Sequence, residues 1–563
     1  MSAALTLSPS DHKLMILLRE RLHAGLKRQA ITTVSEWSER YRIMGQPFPG
    51  PWRYDHHPWL RTIADCQAEL MVGQKAAQMG FTEIALNKAL KTIDIDASSV
   101  MYILPASKPD ASDFSSSRFD PALEMSPHLQ DMFNDVKNVY HKRAGNANLY
   151  LRGSRSRSQL KSVPVALLIA DEVEEMDQEN LPLAFERMSG QMMKQAFLLS
   201  TPRAEGIGIN KYYKQTTEEQ YTFKCPHCSK WIQFIYPDSL VITGENLLDQ
   251  ELENSYYICT ECKQKLQHEN KIFYLSGGTW VPKYTNRSAR GFTINQMYSM
   301  ALSGRACEMA KANFRADLTP EDEQELFNSK LGIPRTVSGA RIEDKHIIDI
   351  IAKSNYTKKE QAPTNAYITM GIDIGKWIHF VIMQWLFDDR MLTEDINLMA
   401  TARLLHENKV LSFEQLDGYM HRFSVMSAVI DAEPENRKSM EFCGRFSGHA
   451  KMCYYATKHV HKQISEHADS AAISVNRTAW LDLALGRVIT GRIAYPRDLS
   501  QEFKDHMKAL VRIYEKDRDG NPVGRYVKDE NTPDHFAHAC TYAEMALPLG
   551  LGLAVSQNIK EQV

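Results

Sequence analysis

The segment Val165–Ala170 is a continuous apolar run (VALLIA) that ends at the acidic pair Asp171 and Glu172. An uninterrupted run of this kind is typical of a strand buried on both faces of a parallel sheet, so it predicts an α/β fold. In phosphoryl-transfer ATPases, an aspartate at the end of such a strand holds Mg²⁺, and the adjacent glutamate orients the attacking water. The pair therefore indicates a nucleotide site, with a strand that simply ends in acidic surface as the alternative.

A candidate phosphate-binding loop lies upstream, between the apolar run Leu70–Val72 and a helical pattern of apolar residues. Such a loop needs glycine for close backbone approach and a hydroxyl for Mg²⁺ at the start of a helix, and Gly80 and Thr82 meet these needs. The standard pattern GxxxxGK[ST] fails because Phe81 stands where the lysine belongs. Lys75, at the front of the loop, is positioned to supply the charge instead. An ordinary glycine-containing turn is the alternative.

A third strand is predicted at Ala196–Leu199, which ends in the tripeptide Ser200-Thr201-Pro202. A hydroxyl at the end of a strand beside a phosphate site can sense the γ-phosphate, so Thr201 is a candidate nucleotide contact. Taken alone, the tripeptide indicates only a turn.

Four of the nine cysteines form two CxxC pairs, Cys225 with Cys228 and Cys259 with Cys262. Two such pairs place four thiolates around a tetrahedral Zn²⁺, and the segment between them is rich in strand-forming residues, as in a zinc ribbon. A complete thiolate shell leaves no open position for a substrate, so the zinc is expected to be structural. Two disulfides are the alternative, which a chain without a secretion signal disfavours.

The C-terminal half repeats the pattern of acids on apolar strands. Asp373 lies within the β-branched run Tyr367–Gly375, Asp431 ends the apolar run Ser427–Asp431, and Asp534 precedes a predicted helix. Three carboxylates of this kind could hold two Mg²⁺ or Mn²⁺ ions that cleave a phosphodiester. An edge-strand acid that faces water is the alternative for Asp373.

Two assignments at this second site stay open. Glu433 could substitute for Asp431 as a metal ligand. His538 shares a helix face with Asp534, and a role in helix packing or DNA contact is as reasonable for it as a role on the metal.

Composition limits the classes of protein to which the chain can belong. It has 563 residues, too many for one ordinary domain, and a net charge of −2, which gives no overall signature of a nucleic-acid binder. The segment 137–161 is locally basic and predicts either a phosphate contact or a solvated loop. No apolar stretch is long enough to span a membrane, and the N-terminus lacks a signal-peptide pattern, so the sequence predicts a protein of the cytoplasm.

In combination, these motifs resemble the large subunit of the terminase of tailed bacteriophages, specifically the lambda-like branch. That branch has a deviant phosphate loop with lysine at its beginning, matched here by Lys75–Thr82, and a four-cysteine insertion after the ATPase strands. Leu160–Pro164 resembles the lead-in to the acidic strand. Pro51–Tyr54 resembles the segment that approaches the adenine, which makes Tyr54 a candidate nucleotide contact.

The resemblance implies a DNA packaging motor: a P-loop ATPase with a zinc-ribbon insertion, followed by an RNase H-like nuclease. It implies ATP, Mg²⁺ or Mn²⁺ and Zn²⁺ as cofactors. The implied partners are double-stranded viral DNA, a small terminase subunit and the portal of the procapsid, with a ring oligomer on that portal in the host cytoplasm. A catalytic arginine is also implied, and the candidates are Arg143, Arg152, Arg155 and Arg157.

The expected domains follow from these motifs: an N-terminal helical region (1–44) that could bind the small subunit, the ATPase core (45–220), the zinc ribbon (221–285), the remainder of the ATPase region (286–350), a linker (351–365), the nuclease (366–548) and a tail (549–563). A helicase or translocase without nuclease activity and a non-catalytic zinc-containing DNA-binding protein are the rival functions.

Overall fold

A computed structural model describes residues 15–16, 18–19, 32–46, 48–133, 136–161, 163–336, 339–392, 396–456, 464–467, 470–516, 522–528 and 532–553. The chain divides into two compact units, Met1–Arg335 and Thr336–Val563. Most of the first 31 residues of the predicted N-terminal helical region (1–44) and most of the predicted tail (549–563) lie outside the described residues. None of the helices in the described part of the chain has the length and apolarity that a membrane span requires.

The first unit is an α/β structure with one large sheet. Its strands are β1 (Ile43–Met44), β2 (Gly50–Pro51), β3 (Leu70–Lys75), β4 (Val100–Leu104), β5 (Val136–Asn138), β6 (His141–Ala144), β7 (Ala147–Gly153), β8 (Leu167–Asp171), β9 (Gln195–Ser200), β10 (Glu219–Lys224), β11 (Trp231–Ile232), β12 (Leu240–Val241), β13 (Tyr256–Ile258), β14 (Lys265–Leu266), β15 (Thr279–Val281) and β16 (Arg290–Ile294). Its helices are α1 (Val34–Tyr41), α2 (Leu60–Asp65), α3 (Phe81–Asp94), α4 (Ser112–Phe114), α5 (Asp120–Met125), α6 (Pro127–Met132), α7 (Leu181–Phe185), α8 (Gly208–Tyr213), α9 (Lys271–Ser276), α10 (Ala306–Ala316) and α11 (Pro320–Gln324).

The large sheet has the order β11-β10-β16-β3-β9-β8-β4-β7-β6-β5, with β15 also paired to β10. Strands from β10 to β7 along this order are all parallel. Because alternate residues of a strand face opposite sides, Met71 packs into one apolar cluster and Val72 into another. The sheet is thus covered on both faces, as the uninterrupted apolar runs predict.

The cysteine-rich segment is continuous with this sheet at one edge. Strand β10, which leads into the first CxxC pair, belongs to the large sheet, and β12, β13 and β14 form a separate antiparallel sheet beyond it. The backbone N–H of Phe234 donates to the Tyr298 hydroxyl at 3.0 Å, and the Asn295 side chain donates to the Phe234 carbonyl at 3.1 Å. The cysteine-rich segment therefore packs against the core of the first unit.

The second unit contains another sheet with helices packed against it. Its strands are β17 (Tyr367–Ile374), β18 (Ile378–Leu386), β19 (Thr401–Val410), β20 (Ser427–Asp431), β21 (Ala450–Tyr455), β22 (Ile464–Glu466), β23 (Ala472–Val475) and β24 (Ile493–Ala494), with a separate hairpin of β25 (Val511–Lys516) and β26 (Pro522–Val527). Its helices are α12 (Asp344–Ala352), α13 (Ile396–Met399), α14 (Phe413–Arg422), α15 (Asn436–Arg445), α16 (Arg477–Ile489), α17 (Gln501–Lys508) and α18 (His535–Gly550).

The eight-stranded sheet of this unit has the order β22-β23-β21-β20-β17-β18-β19-β24, with β17 central and α18 packed against it. The division between the units lies before α12, whereas the sequence suggests a linker at 351–365. Helix α12 joins the second unit because Ile347 and Ile350 are buried in that unit's apolar core.

Candidate functional site

The first candidate site lies at the carboxyl ends of the parallel strands in the first unit. A cavity of about 930 Å³ opens there, lined among others by Lys75, Gly80, Thr82, Glu172 and Thr201. Five of the sequence-predicted nucleotide residues are therefore brought together around one concave surface. A cavity of this size falls within the range of small-molecule sites.

The loop between β3 and α3 explains how the chain departs from the standard lysine pattern. Phe81 is buried, and a Cβ added to Gly73 would lie 2.6 Å from its ring. Gly73 therefore provides the space for Phe81 under the strand. The positive charge that the lysine of the standard pattern would supply comes instead from Lys75. Lys75 is the last residue of β3 and is buried in the cavity wall. Gly80 has a φ of +84°, a conformation that favours glycine, and precedes the first helical turn.

The acidic pair stands at the end of β8, opposite Lys75. The Tyr102 hydroxyl donates to Asp171 Oδ2 at 2.8 Å, whereas Asp171 Oδ1 is buried without a hydrogen-bond partner among the described residues. Burial, reinforced by the charge of Glu172, raises the pKa of Asp171 to about 6, although Lys75 opposes this rise. Lys75 Nζ lies 3.8 Å from Glu172 Oε1. The three groups form one compact electrostatic cluster.

Glu172 adopts an unusual backbone conformation. Its φ and ψ are 65° and 52°, in the left-handed region, which costs a non-glycine residue about 1–3 kcal/mol. Its backbone N–H donates to the Leu199 carbonyl at 2.9 Å, which ties the strand end to β9. Strain of this kind clusters at functional sites, and the Glu172 side chain stays half exposed beside the cavity.

The opposite wall of the cavity is aromatic. Phe48 and His56 stack with ring centroids 4.3 Å apart, and both line the cavity. Trp52 also lines it, with its indole N–H buried and without a hydrogen-bond partner in the described part of the chain. Tyr54, the residue predicted to contact adenine, is instead buried and its hydroxyl is 2.9 Å from that of Ser38, away from the cavity lining.

Arg118 is the arginine that the structure brings to this cavity together with Arg53. It belongs to the helical segment Ser115–Phe119, and it pairs with Glu83 at 3.1 Å while remaining half exposed. None of the four arginines favoured by the sequence lines the cavity. Arg118 lies outside every recognisable motif, so no local sequence signal indicates it.

The residues present fit a magnesium-bound nucleotide. Mg²⁺ prefers oxygen ligands, and the Thr82 hydroxyl lines the cavity. Asp171 is buried next to the lining residue Glu172 and is not itself part of the lining, but its Oδ1 has no hydrogen-bond partner among the described residues. Lys75 and Arg118 supply positive charge for phosphate oxygens, and the aromatic wall offers a flat apolar surface for a base.

The four cysteines of the CxxC pairs form a second candidate site. Cys225 Sγ lies 3.8 Å from Cys262 Sγ, Cys228 Sγ lies 3.9 Å from Cys259 Sγ, and all four sulfurs lie within 4.8 Å of one another. A tetrahedron with metal–sulfur bonds of about 2.3 Å has sulfurs about 3.8 Å apart, so the set fits zinc. All four thiols are free, which disfavours the two disulfides.

The two cysteine turns share one backbone design. Ser229 N–H donates to the Cys225 carbonyl and Lys263 N–H to the Cys259 carbonyl, at 2.9 and 3.0 Å. Ser229 and Lys263 each have a φ of 60°, which curls each turn under its sulfurs. The repetition of one turn supports a zinc-ribbon geometry.

The third candidate site is in the second unit, where β17 and β20 run parallel. Ile372 pairs with Ile430, so Asp373 and Asp431 follow at the same level of adjacent strands. Gly371 shares a face with Asp373, and a Cβ added to it would lie 1.9 Å from the Ala539 carbonyl oxygen. Both aspartates therefore face helix α18.

Helix α18 brings the third predicted carboxylate to this face. Asp534 caps the helix, and Lys528 Nζ lies 2.6 Å from its Oδ1. Burial alone would raise the pKa of Asp534, but its contacts with His538 and Lys528 hold it well below the usual range. Burial and the nearby charge of Asp373 raise the pKa of Asp431 to about 6.

Two histidines of α18 are part of the same cluster. His535 Nδ1 lies 2.7 Å from Asp373 Oδ2, and this hydrogen bond raises the pKa of His535. His538 contacts the Tyr455 hydroxyl at 2.9 Å and Asp534 at 3.3 Å, so it packs within the cluster. His535 is a contact that sequence reasoning misses, although it directly follows Asp534.

The three aspartates do not converge on one point. Among the described residues, no set of ligand atoms from all three lies mutually within 4.8 Å. Carboxylate oxygens are the ligands that Mg²⁺ and Mn²⁺ prefer.

Comparisons with known proteins identify one family and several solved structures to which this chain is similar. Residues 46–280 match the family described as phage terminase large subunit gpA, ATPase domain. The large terminase of bacteriophage HK97 matches 91% of this chain and 99% of its own, with 10% identity and a TM-score of 0.50. The large terminase of a thermophilic bacteriophage, solved in complex with ADP, matches 84% of this chain and 93% of its own (11% identity, TM-score 0.27). The large terminase nuclease of thermophilic phage G20c matches 36% of this chain and 97% of its own (11% identity, TM-score 0.22).

No curated protein matches the chain. The chain therefore has the α/β fold of a large terminase, with an ATPase domain followed by a nuclease-type domain and a four-cysteine cluster suited to zinc in the first unit.

Proposed function

We propose that this protein is the large subunit of a DNA-packaging terminase of the lambda-like branch, which hydrolyses ATP to move double-stranded viral DNA into a procapsid and cuts concatemeric DNA. The observation that carries the proposal is a pair of acids at the carboxyl ends of parallel strands in each unit. In the first unit the consecutive acids Asp171 and Glu172 stand at the end of β8, and in the second unit Asp373 and Asp431 lie near the ends of the adjacent parallel strands β17 and β20.

In the first unit, ATP is the proposed substrate. Lys75 and Arg118 neutralise phosphate oxygens, and Glu172 orients the water that attacks the γ-phosphate. Gly80 and Thr82 form the loop against the phosphates, Asp171 and Thr82 are the proposed Mg²⁺ ligands, and Mg²⁺ when bound supplies charge stabilisation. Thr201 is the proposed γ-phosphate sensor. Trp52 replaces Tyr54 as the proposed contact for the base, because Trp52 lines the cavity.

In the second unit, Asp373, Asp431 and Asp534 are the proposed ligands of two Mg²⁺ or Mn²⁺ ions, which supply an activated water and stabilise the leaving oxygen. His535 orients Asp373 through their hydrogen bond, and Lys528 does the same for Asp534. Cys225, Cys228, Cys259 and Cys262 are proposed to hold one structural zinc.

The terminase likeness also supports the proposed partners and setting. These are a small terminase subunit that binds residues 1–44, the portal that receives the tail (549–563), and a ring of large subunits acting in the host cytoplasm. The fold alone is shown by the structural likeness, so each partner is a proposal that binding assays test.

Paired substitutions test the proposed function. Glu172→Gln keeps the size of the side chain and should abolish ATP hydrolysis while Mg²⁺-dependent cutting of plasmid DNA continues. Asp373→Ala should do the reverse. Each variant is the folding control for the other, because each must retain one activity. If both variants keep both activities, the assigned sites are wrong; if the intact protein hydrolyses ATP but never cuts DNA, it is a translocase without nuclease activity.

A further inference from the structure

A second cavity of about 740 Å³ lies beside the zinc ribbon, away from the nucleotide cavity, and is called the ribbon cleft below. Its lining includes Lys224, Cys225, His227, Lys265 and Phe273. The lining contains two lysines and a histidine but no aspartate or glutamate. The positive side chains Lys224 and Lys265 of a concave surface attract anions, and the nearest acidic group in the lining is the metal-site thiol of Cys225.

The two lysines of the ribbon cleft are not engaged by carboxylates. In the described part of the chain, no ion pair involves Lys224 or Lys265, whereas the neighbouring Lys230 pairs with Glu261 at 2.8 Å. Lys224 Nζ instead lies 5.4 Å from the Trp231 ring centroid and Lys265 Nζ 4.6 Å from that of Tyr256. Both ammonium groups are therefore held in place on aromatic faces with their charge unneutralised by protein acids.

Aromatic side chains are exposed around these lysines. Phe273, which lines the cleft, is 76% exposed, and Trp231, directly opposite Lys224 on the paired strand, is 50% exposed. Exposed large aromatic residues are costly to leave in water, and a group of them beside basic residues marks an interaction site. Nucleic-acid bases stack on such rings, while the backbone phosphates bind nearby lysines.

We propose that the ribbon cleft binds a single-stranded segment of DNA, with phosphates on Lys224 and Lys265 and a base stacked on Phe273. A single strand is favoured over a duplex because an exposed ring can stack only on an unpaired base face, and because a cavity of 740 Å³ holds a few nucleotides and not a double helix. The proposed function contributes only the identity of the polyanion. The cleft would give a packaging enzyme a place to hold a frayed or cut end.

The test is binding of fluorescein-labelled oligo-dT to the intact zinc-loaded chain, measured by fluorescence anisotropy at several salt concentrations without ATP, Mg²⁺ or Mn²⁺. Lys224→Gln combined with Lys265→Gln should reduce the slope of log affinity against log salt by about 1.4, since each phosphate contact with a single strand contributes about 0.7. Phe273→Ala should weaken binding about tenfold with little change of slope.

The matched control combines Lys194→Gln with Lys230→Gln. It removes the same charge from the same unit, but from lysines that pair with Glu69 and Glu261. Unchanged oligo-dT binding in the control, together with the losses described above, supports the proposal. An equal loss in the control would show a nonspecific charge effect and overturn it.

Other outcomes also overturn the proposal. Four thiolates carry more negative charge than one zinc ion neutralises, so Lys224 and Lys265 could serve only to balance the metal site. In that case their replacement would lower the zinc content of the protein and leave its affinity for oligo-dT unchanged. If the Lys224, Lys265 and Phe273 substitutions weaken the binding of a blunt DNA duplex as much as that of oligo-dT, the assignment to a single strand is contradicted. If polyglutamate displaces oligo-dT as well as unlabelled oligo-dT does, the assignment to nucleic acid is contradicted. Because the assay needs neither hydrolysis nor cutting, its result is independent of the proposed catalytic activities.

Discussion

Replacing Asp171 by asparagine should make the stability of the first unit less dependent on pH. The side chain is 2% exposed, and its burial together with the charge of Glu172 raises the pKa from 3.8 to about 6. A rise of this size corresponds to about 3 kcal/mol of stability that the ionised carboxylate costs the folded protein. Asparagine never ionises, so it removes this cost while its amide oxygen can still accept the Tyr102 hydroxyl.

The sign follows from proton binding. Between pH 3.8 and about 6, the folded state holds a proton on Asp171 that the unfolded chain has released, so stability falls as pH rises through this window. The loss of folding stability due to Asp171 is about 1 kcal/mol at pH 4.5 and reaches its full value of about 3 kcal/mol at pH 8. The variant should therefore gain about 2 kcal/mol more at pH 8 than at pH 4.5. The amide's own hydrogen bonds contribute equally at both pH values and cancel from this difference.

Calorimetry of the full chain at the two pH values provides the measurement. With an unfolding entropy of about 2.1 cal/mol/K per residue, 2 kcal/mol shifts the transition of the first unit by about 3 °C. Asp55→Asn, at an exposed aspartate of the same unit, is the matched control and should shift Tm equally at both pH values. Mg-ADP should stabilise the wild type but not Asp171→Asn, because the proposed Mg²⁺ ligand is lost. Equal shifts of Asp171→Asn at pH 4.5 and pH 8 would refute the electrostatic reasoning.

Three further outcomes are expected. Arg118→Ala should lower kcat for ATP hydrolysis by about 10²–10³ with little effect from Arg155→Ala, since Arg118 lines the cavity and Arg155 does not; equal losses in a steady-state assay would contradict this. Cys228→Ser should lose the equivalent of zinc that metal analysis finds in the wild type and lower Tm, and retention of full zinc would exclude the four-thiolate site. Gly371→Ala should place its methyl group against the backbone of α18 and destabilise the second unit by about 1–3 kcal/mol. It should abolish DNA cutting while ATP hydrolysis persists. Unchanged cutting would show that the helix tolerates the displacement.

Local sequence patterns are sufficient to predict the strands that carry the sites. The apolar runs before Asp171 and Asp431 are read directly from the sequence, because a strand buried on both faces needs apolar residues at every position. The CxxC pairs are equally local, since each turn contributes two sulfurs within four residues. In these cases, neighbouring residues in the sequence determine the chemistry.

Contacts between distant segments are beyond sequence reasoning. Arg118 reaches the nucleotide cavity from a helical segment with no motif, and the segment 137–161, where the sequence suggests the arginine, contributes strands β6 and β7 instead. The family resemblance of Pro51–Tyr54 favours Tyr54 as the base contact, but both aromatic residues are largely buried, and of the two Trp52 is the one that lines the cavity. Which of two nearby aromatic residues faces a cavity depends on the loop path, and no propensity encodes it.

Two sheets with different strand orders keep an aspartate at about pKa 6 beside a second acid, Asp171 beside Glu172 and Asp431 beside Asp373. Burial of a carboxylate next to another negative charge destabilises the folded chain by about 3 kcal/mol at neutral pH, and an amide or a small apolar residue would avoid that cost. A divalent cation makes the electrostatic free energy of the acid pair favourable, since two carboxylates that repel each other are both attracted to the cation. The proposed divalent cations would therefore remove the electrostatic cost in each unit. Substitution of either aspartate should stabilise the metal-free protein and remove the proposed activity of its own unit alone.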